Sequence, residues 1–334
     1  MQQNDKQQID LVITWVDGND PALKLKREFY LKQESIASGA ISPTRFASND
    51  EIYYNVASIL KYVPFCRHIY IITDQQQPAF IDEFVSQSIC PADKIKVIDH
   101  KDIFVGYEQL LPTFNSLTIE TMLWNIPGLS DYFIALNDDF FFNQPASITD
   151  FLDSDHNIII RGHWRKSAPL KAKLKYRKLM NKAFNTALQP KYTVSQMLGA
   201  EVYSGNKFYE IHHYPHIVDK ATLTSYLLEH RDYLNNQIKY RFRDISQFDP
   251  ISLMNHLKIK AGEATLKADL NLNYLKNDSS VEKFIADLDN KSINYGCIQS
   301  MDQLSISSFE QVLNAMTKKF SSHLPSSLLL SAKQ

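Results

Sequence analysis

Apolar positions in the first 150 residues alternate between two spacings. Residues 9–16, IDLVITWV, form a nearly continuous apolar run closed by Asp17-Gly18-Asn19-Asp20, which predicts a buried strand and a turn. Two similar runs, HIYIITD (residues 68–74) and KIKVIDH (94–100), predict further strands. Between the runs the spacing becomes helical. A charged helix is expected over 23–32, and Ile52, Val56, Ile59, Leu60 and Val63 mark a second, with Asn49 or Asp50 as cap and Pro64 as stop. Ile119, Met122, Leu123 and Ile126 share a third helical face that ends at Pro127-Gly128. YFIALNDDFFF then reads as a fourth strand, or as two short strands meeting at Asp138 and Asp139. Alternating strands and helices predict an α/β fold with a layered, mainly parallel sheet whose ligands lie at the carboxyl ends of the strands. Asp17, Asp74 and Asn137-Asp138-Asp139 all fall at such ends.

The second half is less regular. Helices are expected over 166–184, 219–238 and 307–319, giving an α-rich C-terminal lobe. ATLKADLNLNY alternates, with Leu266, Ala268, Leu270, Leu272 and Tyr274 on one face, and predicts one half-buried strand. NYGCIQSMD suggests another. Without repeats or a low-complexity linker, 1–334 reads as a single domain with an α/β half (1–155) and a less regular half (156–334).

Composition narrows the classes. A hydrophobic content of 44% supports a large core, and a net charge of −1 offers no global attraction to nucleic acid. Residues 161–191 nevertheless carry ten Lys/Arg and no Asp or Glu, which suits a solvated helix face, an anionic polymer or a membrane surface. Cys66, Cys90 and Cys297 are far apart and imply neither a disulfide framework nor a cysteine zinc site. MQQNDKQQID lacks the pattern of a signal peptide, and no apolar run approaches the ~20 residues of a membrane span, so a cytoplasmic protein is expected.

The chemistry concentrates in a few motifs. Adjacent carboxylates in an apolar run are costly unless something neutralises them. Asp138 and Asp139 suit Mg²⁺ or Mn²⁺, which favour carboxylate oxygens and leave room for phosphate; a capped turn is the plain alternative. Successive strand residues would point them to opposite faces. HHYPH offers His212, His213 and His216 without the partners of a zinc motif, so a base or phosphate-facing histidine competes with an ordinary packed one. RFRD (241–244) offers guanidinium groups suited to phosphate. P-loop, dinucleotide-binding and nucleophile-elbow motifs are missing.

Taken together, IDLVITWVDGND, RFASNDEIYYNVASILKYVPFCRHIYIITD, KVIDHKDIF, LPTFNSLTIETMLWNIPGLSDYFIALNDDFFF, HHYPHIVDK with RFRDIS, and CIQSMD resemble the four signatures of the Stealth family of sugar-phosphate transferases. The chain departs from the family where Gly-Glu-Leu-Arg becomes Asp50-Glu51-Ile52-Tyr53, and where Asn-Asp becomes Gln299-Ser300-Met301-Asp302. The resemblance implies a nucleotide-sugar-binding, GT-A-like sheet and transfer of a sugar-1-phosphate from a UDP-sugar to a polysaccharide hydroxyl, releasing UMP, in capsule or exopolysaccharide synthesis. It implies Asp139, His213 and Arg243 as catalytic residues and Asp138 and Asp139 as ligands to Mg²⁺ or Mn²⁺. Trp15, Asp17, Gly18, Arg45 and Asn115 are implied around the nucleotide-sugar. The implied partners are the donor and an oligo- or polysaccharide acceptor, with peripheral contact to the inner membrane or the capsule-synthesis machinery. A metal-dependent glycosyltransferase releasing UDP, and a carbohydrate-binding module without catalysis, are the competing readings.

Overall fold

A computed structural model describes residues 8–32, 46–184, 191–203 and 205–331. Its centre is a five-stranded sheet in the order β3-β2-β1-β4-β9. Strands β1 (Ile9–Thr14), β2 (Cys66–Thr73), β3 (Ile95–Asp99) and β4 (Tyr132–Asn137) are parallel, and β9 (His216–Asp219) runs antiparallel to β4. The expected layered, mainly parallel α/β sheet is therefore present. β1 and β4 lie inside it and are almost wholly buried, which accounts for their unbroken apolar runs.

Helices α1 (Pro21–Leu31), α2 (Glu51–Tyr62), α3 (Glu83–Ser86), α4 (His100–Ile103) and α5 (Ser116–Thr121) connect these strands. Asp20 caps α1 by accepting from the Leu23 amide at 2.7 Å, with Pro21 opening the helix. Asp50 does not cap α2 as expected. It sits at φ +69° without a side-chain cap bond, and the Glu51 carboxylate instead receives the Asn49 amide. Residues 116–126 also differ from the expected single helix, because α5 ends at Thr121 and a short 3₁₀ turn, Leu123–Asn125, follows.

The second half contributes β9 to the sheet and supplies α6 (Ala168–Phe184), α7 (Tyr192–Gly199), α8 (Lys220–Glu229), α9 (Arg231–Ile238), α10 (Pro250–Ala261), α11 (Val281–Leu288) and α12 (Ile306–Phe320). A three-stranded sheet joins β11 (Leu272–Leu275), β12 (Tyr295–Ile298) and β5 (Phe140–Phe142). Two further pairs are β6 (Ile158–Arg161) with β10 (Ala264–Lys267), and β7 (His163–Lys166) with β8 (Lys207–Glu210). ATLKADLNLNY is thus not one strand. It breaks after Lys267, and β10 and β11 join different sheets. Its alternation misled because Asn273 is its buried position, while Leu266 and Ala268 face solvent. Asn273 is tolerated inside because its amide donates to the Phe284 carbonyl at 2.9 Å.

One large apolar core runs from Ile9 in β1 to Leu328 and includes Phe141, Phe284 and Phe320. No helix among the described residues is long and apolar enough to cross a membrane.

Candidate active site

The carboxyl ends of β1 and β4 open into a cavity of about 490 Å³, within the usual range of ligand pockets. Trp15, Asp138, Asp139, His213 and Arg243 all line it, although they come from four separate parts of the chain.

The acidic pair is presented by a turn rather than by a strand. β4 ends at Asn137 and β5 begins at Phe140, so Asp138 and Asp139 occupy the corner and both reach the cavity. Strand alternation, which would separate them, does not apply there. Helix α2 holds the corner in place. The Asn55 amide donates to the Asn137 carbonyl at 2.7 Å, and the Phe142 amide donates to Ser58 Oγ at 3.0 Å. On the far side the Ile298 amide donates to the Asp139 carbonyl at 2.8 Å, and Cys297 Sγ lies 3.3 Å from Asp139 Oδ2. The three phenylalanines after the pair are buried and anchor this geometry.

Electrostatically the corner is poised for a cation. Burial, then Asp139, then Glu51 hold the Asp138 carboxyl far above the ordinary carboxylate range. Burial likewise raises Asp139, and raises Glu51 to about 7 with a contribution from Asp139. Asp139 Oδ1 is buried without a hydrogen-bond partner. Such an orphaned, acidic, partly enclosed set fits a hard divalent ion that favours carboxylate oxygens.

The three histidines of HHYPH have different surroundings. His216 is buried, its ring Nε2 2.9 Å from the His212 carbonyl, and burial lowers it to about 4. His212 is exposed. His213 enters the cavity, stacked on Tyr192 at 4.8 Å between ring centroids and flanked by Phe140 and Tyr274. Burial, then His212 and Arg243, hold His213 below the ordinary histidine range, which favours the neutral, proton-accepting ring.

Arg243 donates to Ser116 Oγ at the start of α5. Its acidic neighbours are Glu120 and Asp249, not Asp138 and Asp139. Asp249 also caps α10, accepting from the Ser252 amide at 2.7 Å. Burial and Asp249 raise Glu120 to about 7 against the opposing pull of Arg243.

The remaining expected residues have other placements. Asn115 is not in the cavity wall. Fully buried, it caps α5 through the Leu117 amide and donates to the Tyr240 carbonyl and Gln247 Oε1, so it positions the α5 end that carries Ser116. Asp17 accepts from the Asn19 amide at 2.8 Å and shapes the turn after β1. Gly18 lies beneath Phe46, which lines the cavity; a Cβ at Gly18 would come within 2.4 Å of Phe46 Cβ and its carbonyl oxygen. Arg45 lies outside the described residues. Asp74, another strand-end acid, lines the cavity but pairs with Lys26 of α1 at 2.9 Å. Asp302, left without a role by its altered signature, also lines the cavity. Glu51, Glu120, Tyr192 and Tyr274 were not singled out as site residues in the sequence. Glu51 and Glu120 sit in ordinary helical contexts, and only the folded neighbourhood distinguishes them.

Residues 7–35 match Stealth protein CR1, conserved region 1, and residues 45–160 match Stealth protein CR2, conserved region 2. In these two segments the chain is similar to Stealth proteins. Trp15 comes from the first Stealth region, and Glu51, Glu120, Asp138 and Asp139 from the second; His213 and Arg243 lie beyond both. The capsular polysaccharide phosphotransferase cps1A of Actinobacillus pleuropneumoniae is 39% identical over 200 residues, covering 56% of this chain and 53% of that protein. The capsular polysaccharide phosphotransferase cps12A of the same organism is 42% identical over 159 residues, covering 46% and 41%. The chain therefore spans about half or less of these relatives. Among solved structures, the bifunctional glycosyltransferase WbbM in its apo form aligns with all of this chain and 53% of its own at a TM-score of 0.48 and 9% identity.

Proposed function

We propose that this chain is a Stealth protein that transfers a sugar-1-phosphate from a UDP-sugar to a hydroxyl of a growing capsular or exopolysaccharide and releases UMP. The observation that carries this reading is the meeting of Asp138 and Asp139 with His213 and Arg243 in one cavity. Phosphoryl transfer needs such an arrangement: charge neutralisation on the diphosphate, a proton acceptor for the nucleophile, and a cation facing the transferring group.

The acceptor hydroxyl attacks the phosphorus that carries the sugar. A new P–O bond forms as the bond to the UMP oxygen breaks, leaving a phosphodiester. Neutral His213 takes the hydroxyl proton. Arg243, held by Ser116 and flanked by Glu120 and Asp249, stabilises negative charge on the equatorial oxygens. Trp15 lines the same cavity and in this reading faces the nucleotide-sugar. Asp138 and Asp139 would hold Mg²⁺ or Mn²⁺, which when bound neutralises diphosphate charge.

The acceptor is an oligo- or polysaccharide in this reading, and α6 is the contact with an anionic membrane surface. Leu174 is its buried residue, whereas Tyr176 and Leu179 are exposed among lysines. An apolar strip flanked by cations suits an interfacial helix. The deciding assay offers a panel of UDP-sugars, Mg²⁺ and oligosaccharide acceptors. UMP release with a phosphodiester signal in phosphorus NMR is expected. UDP release with a glycosidic product would replace this reading with sugar transfer alone.

A further inference from the structure

On the protein surface His163, His212 and Asp269 converge from β7, the loop before β9 and the connection between β10 and β11. One ligand atom from each lies within 4.8 Å of the other two. The geometry points to a second divalent-cation site here, for a borderline ion such as Zn²⁺, separate from the carboxylate corner at Asp138 and Asp139.

Three observations support it. First, the spacing approaches that of a coordination shell. At metal–ligand distances of about 2.0–2.1 Å, neighbouring ligand atoms on a tetrahedron lie about 3.3 Å apart. His212 Nε2 is 3.4 Å from Asp269 Oδ2, and His163 Nδ1 is 2.7 Å from the same oxygen. Sub-ångström opening of the second contact would admit an ion, and the exposed side leaves a position for water.

Second, an outer layer is already built. With Nδ1 turned to the shared centre, the other ring nitrogen of His163 lies 3.4 Å from Glu210 Oε2. Both Glu210 oxygens accept from Arg165 Nη1 at 2.8 Å. A ligating histidine whose second nitrogen meets an anchored carboxylate is the arrangement that fixes tautomer and ring orientation at metal centres.

Third, donor type and charge agree. Two imidazoles and one carboxylate favour zinc-like ions over Mg²⁺, which favours oxygen. Glu210 is already paired with Arg165, so Asp269 is the carboxylate left to face the two rings. Bound here, the ion would tie together three segments of the fold, one of which also carries His213.

The test is Co²⁺ and Zn²⁺ binding to the chelator-stripped full chain in excess Mg²⁺. Equilibrium dialysis should show one ion per chain, and Co²⁺ should give the intense visible absorption of low-coordinate cobalt. H163A, H212A and D269N should each weaken binding at least tenfold, whereas D139N should leave it unchanged. H163C should restore binding with a thiolate-to-cobalt charge-transfer band, a gain that a misfolded variant would not produce. An H163A/H212A double variant that bound Co²⁺ with the wild-type stoichiometry and affinity would overturn the assignment, as would an H163C variant without the band. The carboxylate-corner reading stands or falls separately, on D139N and nucleotide release.

Discussion

Removing Arg243 should expose a charge imbalance hidden in the folded protein. Arg243 is the cation between Glu120 and Asp249, and burial raises these carboxyls to about 7 and about 6. Removing one partner of a buried ion pair costs about 3–5 kcal/mol; Arg243 is only partly buried and acts on Glu120 and Asp249 through space, so Arg243→Ala should cost no more than the lower end, about 3 kcal/mol. A chain of 334 residues has an unfolding entropy of about 0.7 kcal/mol/K, so the melting temperature should fall by about 4 °C. Glu120→Gln removes only the excess negative charge and should shift stability by less than about 1 kcal/mol. In an Arg243→Ala background the same change should recover about half of the loss, a coupling that a double-mutant cycle reads directly. The sign of the pH dependence follows from the raised carboxyls. Below the unfolded-state values of roughly 4 both states are protonated and the penalty vanishes. It grows as pH rises toward the folded values, and further without Arg243. Denaturant unfolding at pH 5 and pH 8 should therefore show a larger Arg243→Ala defect at pH 8. A pH-independent defect, or a Glu120→Gln variant as unstable as Arg243→Ala, would refute this account of the cluster.

Asp139→Asn and His213→Ala should each lower turnover by ~10²-fold or more at unchanged secondary structure, measured by UMP release; near-normal turnover in a folded variant removes that residue's role. EDTA should abolish transfer and Mg²⁺ restore it, and full activity in chelator would dismiss the metal at the carboxylate corner. Asp10 is buried and receives Arg67 Nε at 2.8 Å and the Ser130 amide at 2.8 Å, contacts that outweigh burial and leave its carboxyl below the usual range. Asp10→Asn should cost about 2 kcal/mol near neutral pH, allowing for the partly exposed Arg67, and the difference should fade as pH drops through the native Asp10 value. Replacing Lys175, Lys178 and Lys182 on α6 with Glu should abolish co-sedimentation with anionic vesicles and leave turnover on short soluble acceptors intact; equal sedimentation would count against the membrane contact.

The sequence disclosed the central sheet because β1 and β4 are buried on both faces and β2 largely so, and only unbroken apolar runs satisfy that environment. It disclosed the acidic corner for the opposite reason, since two carboxylates beside a buried strand stand out against any packing explanation. Periodicity failed where a polar side chain found a partner inside, as Asn273 did with the Phe284 carbonyl. It also misread the geometry of the pair, because a two-residue turn and a two-residue stretch of strand look alike in a pattern of alternation. Glu120 and Asp249 were illegible for a further reason. Neither is unusual in its own segment, and their chemistry arises only when α5 and the start of α10 bring them to the same guanidinium. The residues that act as the site's supports are thus the ones whose meaning depends on distant chain. Asn115 belongs with them: quoted within a signature, it reads as a pocket residue, yet its amide and carbonyl are spent aligning α5, the helix whose Ser116 holds Arg243. An Asn115→Ala change should therefore reduce activity through Arg243, and its loss should not add to that of Arg243→Ala in the double variant, whereas additive losses would place Asn115 on an independent path to the substrate.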